Sequence, residues 1–583
     1  MWPVRRGALF GALLTLAAAA FLVSLQPVGG AWWSSADPDG PYVGNSVNIL
    51  LGNHTSYLDH PGLPTQDALA IAFGTQYLVE RTAGRVDDRE AFADELLLDL
   101  DRVRPVYRTW ALLLFFGSAL LVYTLVARLL GHWTWGVAGG VLFVSAPSLA
   151  AISFLLRPDN ALAALCLLVG YLAATGFERR SAPRYTAAAF VLGFAMTVKL
   201  TAVGMIVPLV LVAVLRPPGP GGLRETASAL ARFVRRNALW LAPTAIAWLV
   251  LCWVFNRERT PILQTDDQRS LLVNAATFIG AYALFALLVE RRRIPWADRV
   301  FRLSYAGMMV AFAAGLALPA SLVLDDGIQM LVAIKETLGG GRVNAGVDPF
   351  AGFELGAFFR SPLSVAGGII ALGLAAGVVG AARRCWWPLV LGVGTLVLGT
   401  MAAARYSFDY YYAPAVALAI PGALWLFRRA GRPGVPAYLW LPVLFVFAWA
   451  ATHQPSKGAW DYERTIDAAA QELADELVAP GEVVLVGPYN SPIEDVRFDG
   501  LVDGFADYVP RYPYRFLTRP QLAAEYGLTP AYYVALDHEL PAGRTTVDVG
   551  GQGPFVIEKL PRRWGPHGEY GVARIVASPP LEP

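Results

Sequence analysis

The chain has 583 residues, of which 55% are hydrophobic and only 16% charged, with a formal net charge of +2. Soluble domains carry about 25% charged residues, and apolar runs of about 20 residues recur here, so composition excludes a soluble globular enzyme and points to a polytopic membrane protein. The near-neutral balance excludes a nucleic-acid partner recognised through a basic field, and the mean hydropathy of +0.46 agrees with a membrane setting.

The N-terminal stretch "MWPVRRGALFGALLTLAAAAFLVSLQ" begins basic and continues apolar. Its run is nearer a full span than the roughly 7–15 residues of a signal-peptide core, so it reads as a retained first helix. Length and apolarity then predict about thirteen spans. They lie near 7–26, 107–130, 136–156, 159–177, 185–198, 200–215, 238–255, 271–289, 303–324, 363–382, 388–404, 412–427 and 437–452. Alternate connections carry the arginines: Arg5 and Arg6, Arg128, Arg179 and Arg180, Arg235 and Arg236, Arg291 to Arg293, Arg383 and Arg384, then Arg428 and Arg429. The positive-inside rule makes those ends cytoplasmic, in a plasma (inner) membrane. The opposite face then holds the loops 27–106, 256–270 and 325–362 and everything from 453 onward.

The first outer loop opens with "DPDGPY". Asp37 and Asp39 flank Pro38, and Gly40-Pro41 follows, so the backbone has few accessible shapes. Two readings stand: an acid held rigidly toward a substrate, or a turn that ends one helix and begins the next. Further on, "YLDHPGLP" places Asp59 and His60 before a second proline turn. "TQDALAIAFGTQYLVERTAG" and "DREAFADELLLDLDRVRP" have helical periodicity but too much charge to span, and fit helices lying along the membrane surface.

Polar residues recur at the outer ends of later spans: Arg157 and Asp159 in "RPDNAL", Lys199 in "TVKLTAV", and Arg405, Asp409 and Tyr410 in "RYSFDYYYAP". Lys199 lies between two apolar runs with almost no loop, where a cation needs an anion, and a lipid phosphate at headgroup depth would supply one. Beyond residue 453, "GEVVLVGP", "AYYVALD" and "GPFVIEKL" read as strands and "RTIDAAAQELADELVAP" as a helix, predicting a small α/β domain over 453–583 beside a transmembrane domain over 1–452. Cys166, Cys252 and Cys385 fit no metal, redox or disulfide pattern.

Acids on an outer loop and cations at outer helix ends suit transfer of a group from a lipid-linked phosphate. A carboxylate takes the acceptor's proton, and cations stabilise charge on the leaving phosphate. The layout resembles the GT-C membrane glycosyltransferases, among them the aminoarabinose transferases and protein O-mannosyltransferases. The resemblance rests on "DGPYV" after the first span, "DHPGL" about twenty residues on, "RPDNAL", "TVKLTAV" and "RYSFDYYYAPAVALAIPG", in that order. It implies a mainly α fold with an outer α/β segment, and an inverting transferase that moves a hexosyl or pentosyl group from a polyprenyl-phosphate donor to an acceptor hydroxyl on a glycan, lipid or protein.

The resemblance further implies Asp39 as the catalytic base, with Asp37 as the alternative. Arg157, Asp159, Lys199 and Arg405 become donor-phosphate residues, and Tyr42, Asp59, His60 and Tyr410 substrate contacts. The second acid of the family's common Asp-Glu pair is Gly40 here, which keeps both aspartates as candidates and sets the chain apart from the mannosyl-protein branch. No cofactor or metal is expected, and membrane lipids but no nucleic acid are expected as partners. Two other classes compete: a lipid-linked-glycan flippase, which would need acids or broken helices near the bilayer midplane, and a non-catalytic assembly scaffold. Apart from Asp159 at the outer end of 159–177, no acid falls within a predicted span, which weighs against the flippase.

Overall fold

The computed structural model describes residues 2–24, 39–51, 62–98, 104–146, 158–215, 235, 246, 303–320, 365–405, 409–430, 476–479, 481–486, 516–517, 529–538, 540–548, 554–564 and 570–579. The predicted spans near 238–255, 271–289 and 437–452, and the outer loops 256–270 and 325–362, lie outside them. The chain divides into two compact units. One comprises Met1–Gln26, Leu58–Thr65 and Ala111–Gln454; the other comprises Pro27–Tyr57, Gln66–Trp110 and Pro455–Pro583.

The first unit is helical among the described residues. Its elements are α1 (Trp2–Ser24), most of α5 (Arg104–Leu130), α6 (Trp133–Ser145), α7 (Asp159–Arg179), α8 (Ala182–Val198), a 3-10 helix (Leu200–Met205) running into α9 (Ile206–Leu215), α10 (Leu303–Ala320), α11 (Val365–Ala382), α12 (Trp386–Arg405), a second 3-10 turn (Asp409–Tyr412) and α13 (Ala413–Ala430). Among the described residues, three stretches are long and apolar enough to cross a bilayer: Gly7–Ser24, Arg108–Leu130 and Asp159–Arg179. At about 1.5 Å per residue the last is roughly 31 Å long, the thickness of a hydrocarbon core. Shorter apolar helices cover Trp133–Ser145, Leu200–Ala213, Gly307–Pro319, Gly367–Ala382 and Trp386–Ala402. Of the span expected over 136–156, α6 covers the part to Ser145, where Ala146 leaves helical geometry ahead of Pro147; residues 147–156 lie outside the described residues.

Small residues set the helix spacing. A Cβ on Gly193 of α8 would collide with the Phe312 carbonyl of α10, and one on Gly315 of α10 with the Phe190 carbonyl of α8. The two glycines therefore let these backbones touch, the packing that membrane helices use where burial of apolar surface gives no advantage over lipid. Between α11 and α13 a Cβ on Gly373 would lie 2.6 Å from the Ala419 Cα, and between α11 and α12 one on Gly392 would lie 3.0 Å from the Gly377 Cα. Helix α1 is tied to the first unit by the Tyr123 hydroxyl, which donates to the Ala8 carbonyl at 2.7 Å.

In the second unit, α2 (Asp39–Leu51), most of α3 (Leu63–Thr82) and α4 (Arg89–Leu98) bear out the helical reading of the first loop from Leu63 onward. Asp88 caps α4 by accepting from the Ala91 amide at 2.8 Å. The Tyr77 and Phe92 rings join α3 to α4 with centroids 5.8 Å apart. Arg89 donates to the Leu50 carbonyl at 3.3 Å, placing a cation at the negative end of α2.

The same unit holds a six-stranded sheet of order β2-β1-β3-β6-β5-β4, with strands β1 (Glu482–Val486), β2 (Phe516–Leu517), β3 (Thr529–Leu536), β4 (Arg544–Asp548), β5 (Pro554–Trp564) and β6 (Tyr570–Ala577). β1 pairs in parallel with β2 and β3, and the other pairs are antiparallel. The three predicted strands are β1, β3 and β5. Val483, Val484 and Leu485 are buried, as a continuous apolar run with parallel neighbours requires. Register slips between Lys559 and Arg563 of β5, where Pro561 brings no N–H to the ladder. Of the predicted helix near 463–479 only its last residues are described.

Candidate functional site

Three helix ends of the first unit meet around one ion pair. Asp159 is the first residue of α7, its carboxylate beside the unsatisfied N–H groups of that end. Lys199 is the residue at which the chain leaves α8: its backbone is extended, φ −160° and ψ 135°, and the 3-10 helix begins at the next residue. Its amide still donates to Ala195, and its carbonyl accepts from Ala202, so the break is fully hydrogen-bonded. The Lys199 Nζ lies 2.8 Å from Asp159 Oδ1, with side chains only 12% and 3% exposed. The third end is the 3-10 turn Asp409–Tyr412, whose Tyr411 ring centroid lies 4.4 Å from the same Nζ.

Charge and ring both hold the ammonium. A buried cation is stable only when paired, and the face of a tyrosine adds attraction in a dry setting. Beside Tyr411 a small pocket opens, lined also by Thr201, Leu398, Met401, Ala402 and Pro414. Its walls are apolar apart from the hydroxyls of Thr201 and Tyr411. Asn160, next to Asp159, is 2% exposed, and its Oδ1 has no hydrogen-bond partner among the described residues.

The second proline turn reaches the same place. Gly62, in a positive-φ conformation (37°) that glycine tolerates, donates its N–H to the Val198 carbonyl at 3.2 Å. "DHPGL" and "TVKLTAV" are thus joined through the backbone just before Lys199.

The expected site residues fare differently. Asp159 and Lys199 meet: packing of α7 against α8 gives the Lys199 ammonium an anion from within the protein. Arg405 is the last residue of α12, and Tyr410 lies in the 3-10 turn that carries Tyr411. Of the three consecutive tyrosines, Tyr411 stacks on the lysine, which the sequence does not distinguish. Asp39 is the first residue of α2, so "DGPYV" is a helix start, with Pro41 in the first turn where its missing N–H costs nothing. This agrees with the alternative in which the segment begins a helix. Tyr42, expected at the substrate, is 1% exposed and among the largest fully buried side chains, so it packs within the protein. Asn45, Ser46 and Asn48 of α2 are buried as well. Asp37, Asp59, His60 and Arg157 lie outside the described residues.

Two solved structures of ArnT from Cupriavidus metallidurans align along most of the chain with low TM-scores. One is the apo state, 13% identical over 97% of this chain and 98% of that one, TM-score 0.31. The other is bound to undecaprenyl phosphate, 14% identical over the same shares, TM-score 0.28. No curated protein matches the chain. Residues 101–248 match the family model described as dolichyl-phosphate-mannose-protein mannosyltransferase, a segment that contains Asp159 and Lys199 but not Asp39, and this match bears out the resemblance to the GT-C glycosyltransferases read from the motifs.

Proposed function

We propose that the chain is an inverting glycosyltransferase, taking a sugar from a polyprenyl-phosphate donor and placing it on an acceptor hydroxyl at the outer face of the membrane. The observation that carries this reading is the largely buried Lys199–Asp159 pair, its ammonium over the Tyr411 ring, with both charged residues inside the segment that matches the mannosyltransferase family.

The chemistry follows from the residues. The acceptor oxygen attacks the anomeric carbon from the face opposite the phosphate. Asp39 removes the hydroxyl proton as the new bond forms. The bond from the anomeric carbon to the phosphate oxygen breaks, and its electron pair leaves on the phosphate. That phosphate passes from a diester with one negative charge to a monoester with two. Arg157, Lys199 and Arg405, offset by Asp159, bring two net positive charges to the outer helix ends, matching the charge that develops on the leaving group. Asp159 and Tyr411 hold the Lys199 ammonium in a fixed place, so little reorganisation is left for the moment of reaction.

The test is transfer by the purified chain in lipid vesicles, with a panel of radiolabelled polyprenyl-phosphate sugars, comparing wild type, Asp39→Asn and Asp37→Asn. The reading expects transfer from one donor class by wild type and by Asp37→Asn. Asp39→Asn should lose about 100-fold or more, the usual contribution of a general base. Donor turnover unchanged in Asp39→Asn would remove Asp39 from the mechanism. A folded wild type that neither binds nor turns over any polyprenyl-phosphate sugar would overturn the reading as a whole.

A further inference from the structure

Two helices of the first unit end on an arginine in the left-handed backbone region. Arg180, after α7, has φ 50°, and Arg384, after α11, has φ 54°. Each occupies the position of a helix-ending turn that glycine normally fills: the Ser181 amide reaches back to the Gly176 carbonyl at 3.0 Å, and the Cys385 amide to Gly380 at 2.9 Å. The chain uses glycine for this elsewhere. Gly84 (φ 69°) closes α3 with the Arg85 amide on Glu80, and Gly131 (φ 75°) follows α5. A side chain with a Cβ is strained in this region, so arginine is retained at 180 and 384 against the local backbone preference.

The two turns converge. The Phe177 ring at the end of α7 meets Trp386 at the start of α12, centroids 5.4 Å apart, and Trp387 meets Trp425 of α13 at 5.9 Å. Arg429 lies over the Trp425 ring at 4.4 Å. Cys385, in the turn itself, feels both Glu178 and Arg429: burial raises its pKa most, Glu178 raises it further and Arg429 lowers it. Arg179, Arg180, Arg383, Arg384 and Arg429, in or beside these turns, are all exposed. Glu178 is the one acid on the three segments 177–184, 383–387 and 425–429. Arg428 is spoken for differently, donating to the Leu130 carbonyl at the end of α5.

We propose that this cluster is a docking site for the phosphate of an anionic phospholipid headgroup, in the leaflet opposite the sugar-transfer face. Charge complementarity selects the occupant. Exposed arginines in turns that adjoin tryptophans, one of them over a tryptophan ring, are the combination that suits the level where headgroup phosphates lie, and arginine pairs with phosphate through two parallel hydrogen bonds. Orientation alone does not require arginine at 180 and 384, since Arg179 and Arg383 already give each turn its positive charge and glycine would relax both turns.

The test uses the full chain in neutral detergent, with its thermal midpoint followed as phosphatidylglycerol or phosphatidylcholine is titrated in. Arg180→Gly/Arg384→Gly is the variant, because glycine suits both backbones. In detergent alone the variant is expected to melt at the wild-type temperature or above it. Phosphatidylglycerol should raise the wild-type midpoint, and the variant should need roughly 20- to 30-fold more of it, about fivefold per arginine. Phosphatidylcholine should move neither. A variant that answers phosphatidylglycerol as wild type does overturns the proposal. So does a variant that melts lower in detergent alone, which would make the arginines structural. So does inorganic phosphate matching phosphatidylglycerol at equal concentration, which would make the site a general anion trap.

Discussion

Lys199 and Asp159 decide most at the scale of single residues. They stand 40 positions apart and meet at 2.8 Å with almost no exposure. Removing one partner of such a pair leaves an uncompensated buried charge, at a cost of about 3–5 kcal/mol, whereas removing both charges together costs much less. Lys199→Met is therefore expected to lower the thermal midpoint sharply, and Lys199→Met/Asp159→Asn to recover most of the loss. A double variant as unstable as the single would break the claim that the two side chains compensate each other. The sequence shows both charges at helix ends, because apolar runs end visibly. That they touch depends on how α7 packs against α8, which no local pattern encodes. Tyr411 was hidden for a related reason: three adjacent tyrosines look alike until the 3-10 turn aims one at the ammonium.

Packing of whole elements turns on where a methyl group fits. Gly193→Ala or Gly315→Ala drives a Cβ into the backbone of the facing helix, which a side-chain shift does not relieve. Overpacking of this kind costs about 1–3 kcal/mol, and each variant should show it in thermal unfolding. Gly368→Ala, whose Cβ meets nothing within 4 Å inside α11, is the matched control and should be neutral or slightly stabilising. Equal melting of all three would refute close contact between α8 and α10.

In the sheet, Asp537 follows β3 and lies 2.6 Å from Lys559 and 2.8 Å from Arg563, both on β5. The hydrogen bond from Lys559, aided by Arg563, holds its carboxyl below the ordinary value of 3.8. A lowered folded-state value contributes stability that is present above the unfolded value and is lost as pH falls through the folded one. Amide exchange in β3 and β6 of the full chain should accelerate below about pH 4 in wild type. Asp537→Asn should flatten that acid dependence; an unchanged profile would show that other groups govern it. β1, β3 and β5 are legible in the sequence because each is an apolar or alternating run between turn residues. β2 is two residues long and β4 is a short edge strand, so neither offers a pattern.

For the molecule as a whole, composition and the alternation of arginine-bearing connections gave the helical membrane class, and the described helices follow the predicted spans closely from α7 to α9 and from α10 to α13. "DPDGP" reads as either a rigid acidic loop or a helix start, and its described part, from Asp39, is the helix start. Asp39 opens a helix because Gly40 and Pro41 are both acceptable in a first turn, where N–H groups have no partner to lose. The candidate site was legible as a set of motifs at outer ends and not as a geometry.

In the proposed reaction the ammonium held by Asp159 and Tyr411 receives the phosphate of a polyprenyl donor. A direct measurement is equilibrium binding of polyprenyl phosphate to the purified chain, comparing wild type with Lys199→Met/Asp159→Asn, the pair-neutral variant expected to stay folded. Loss of a charge-assisted contact is worth about 1.5–3 kcal/mol, so binding should weaken by roughly 10- to 150-fold in the variant. The same affinity in both proteins would place the donor phosphate elsewhere and contradict the claim.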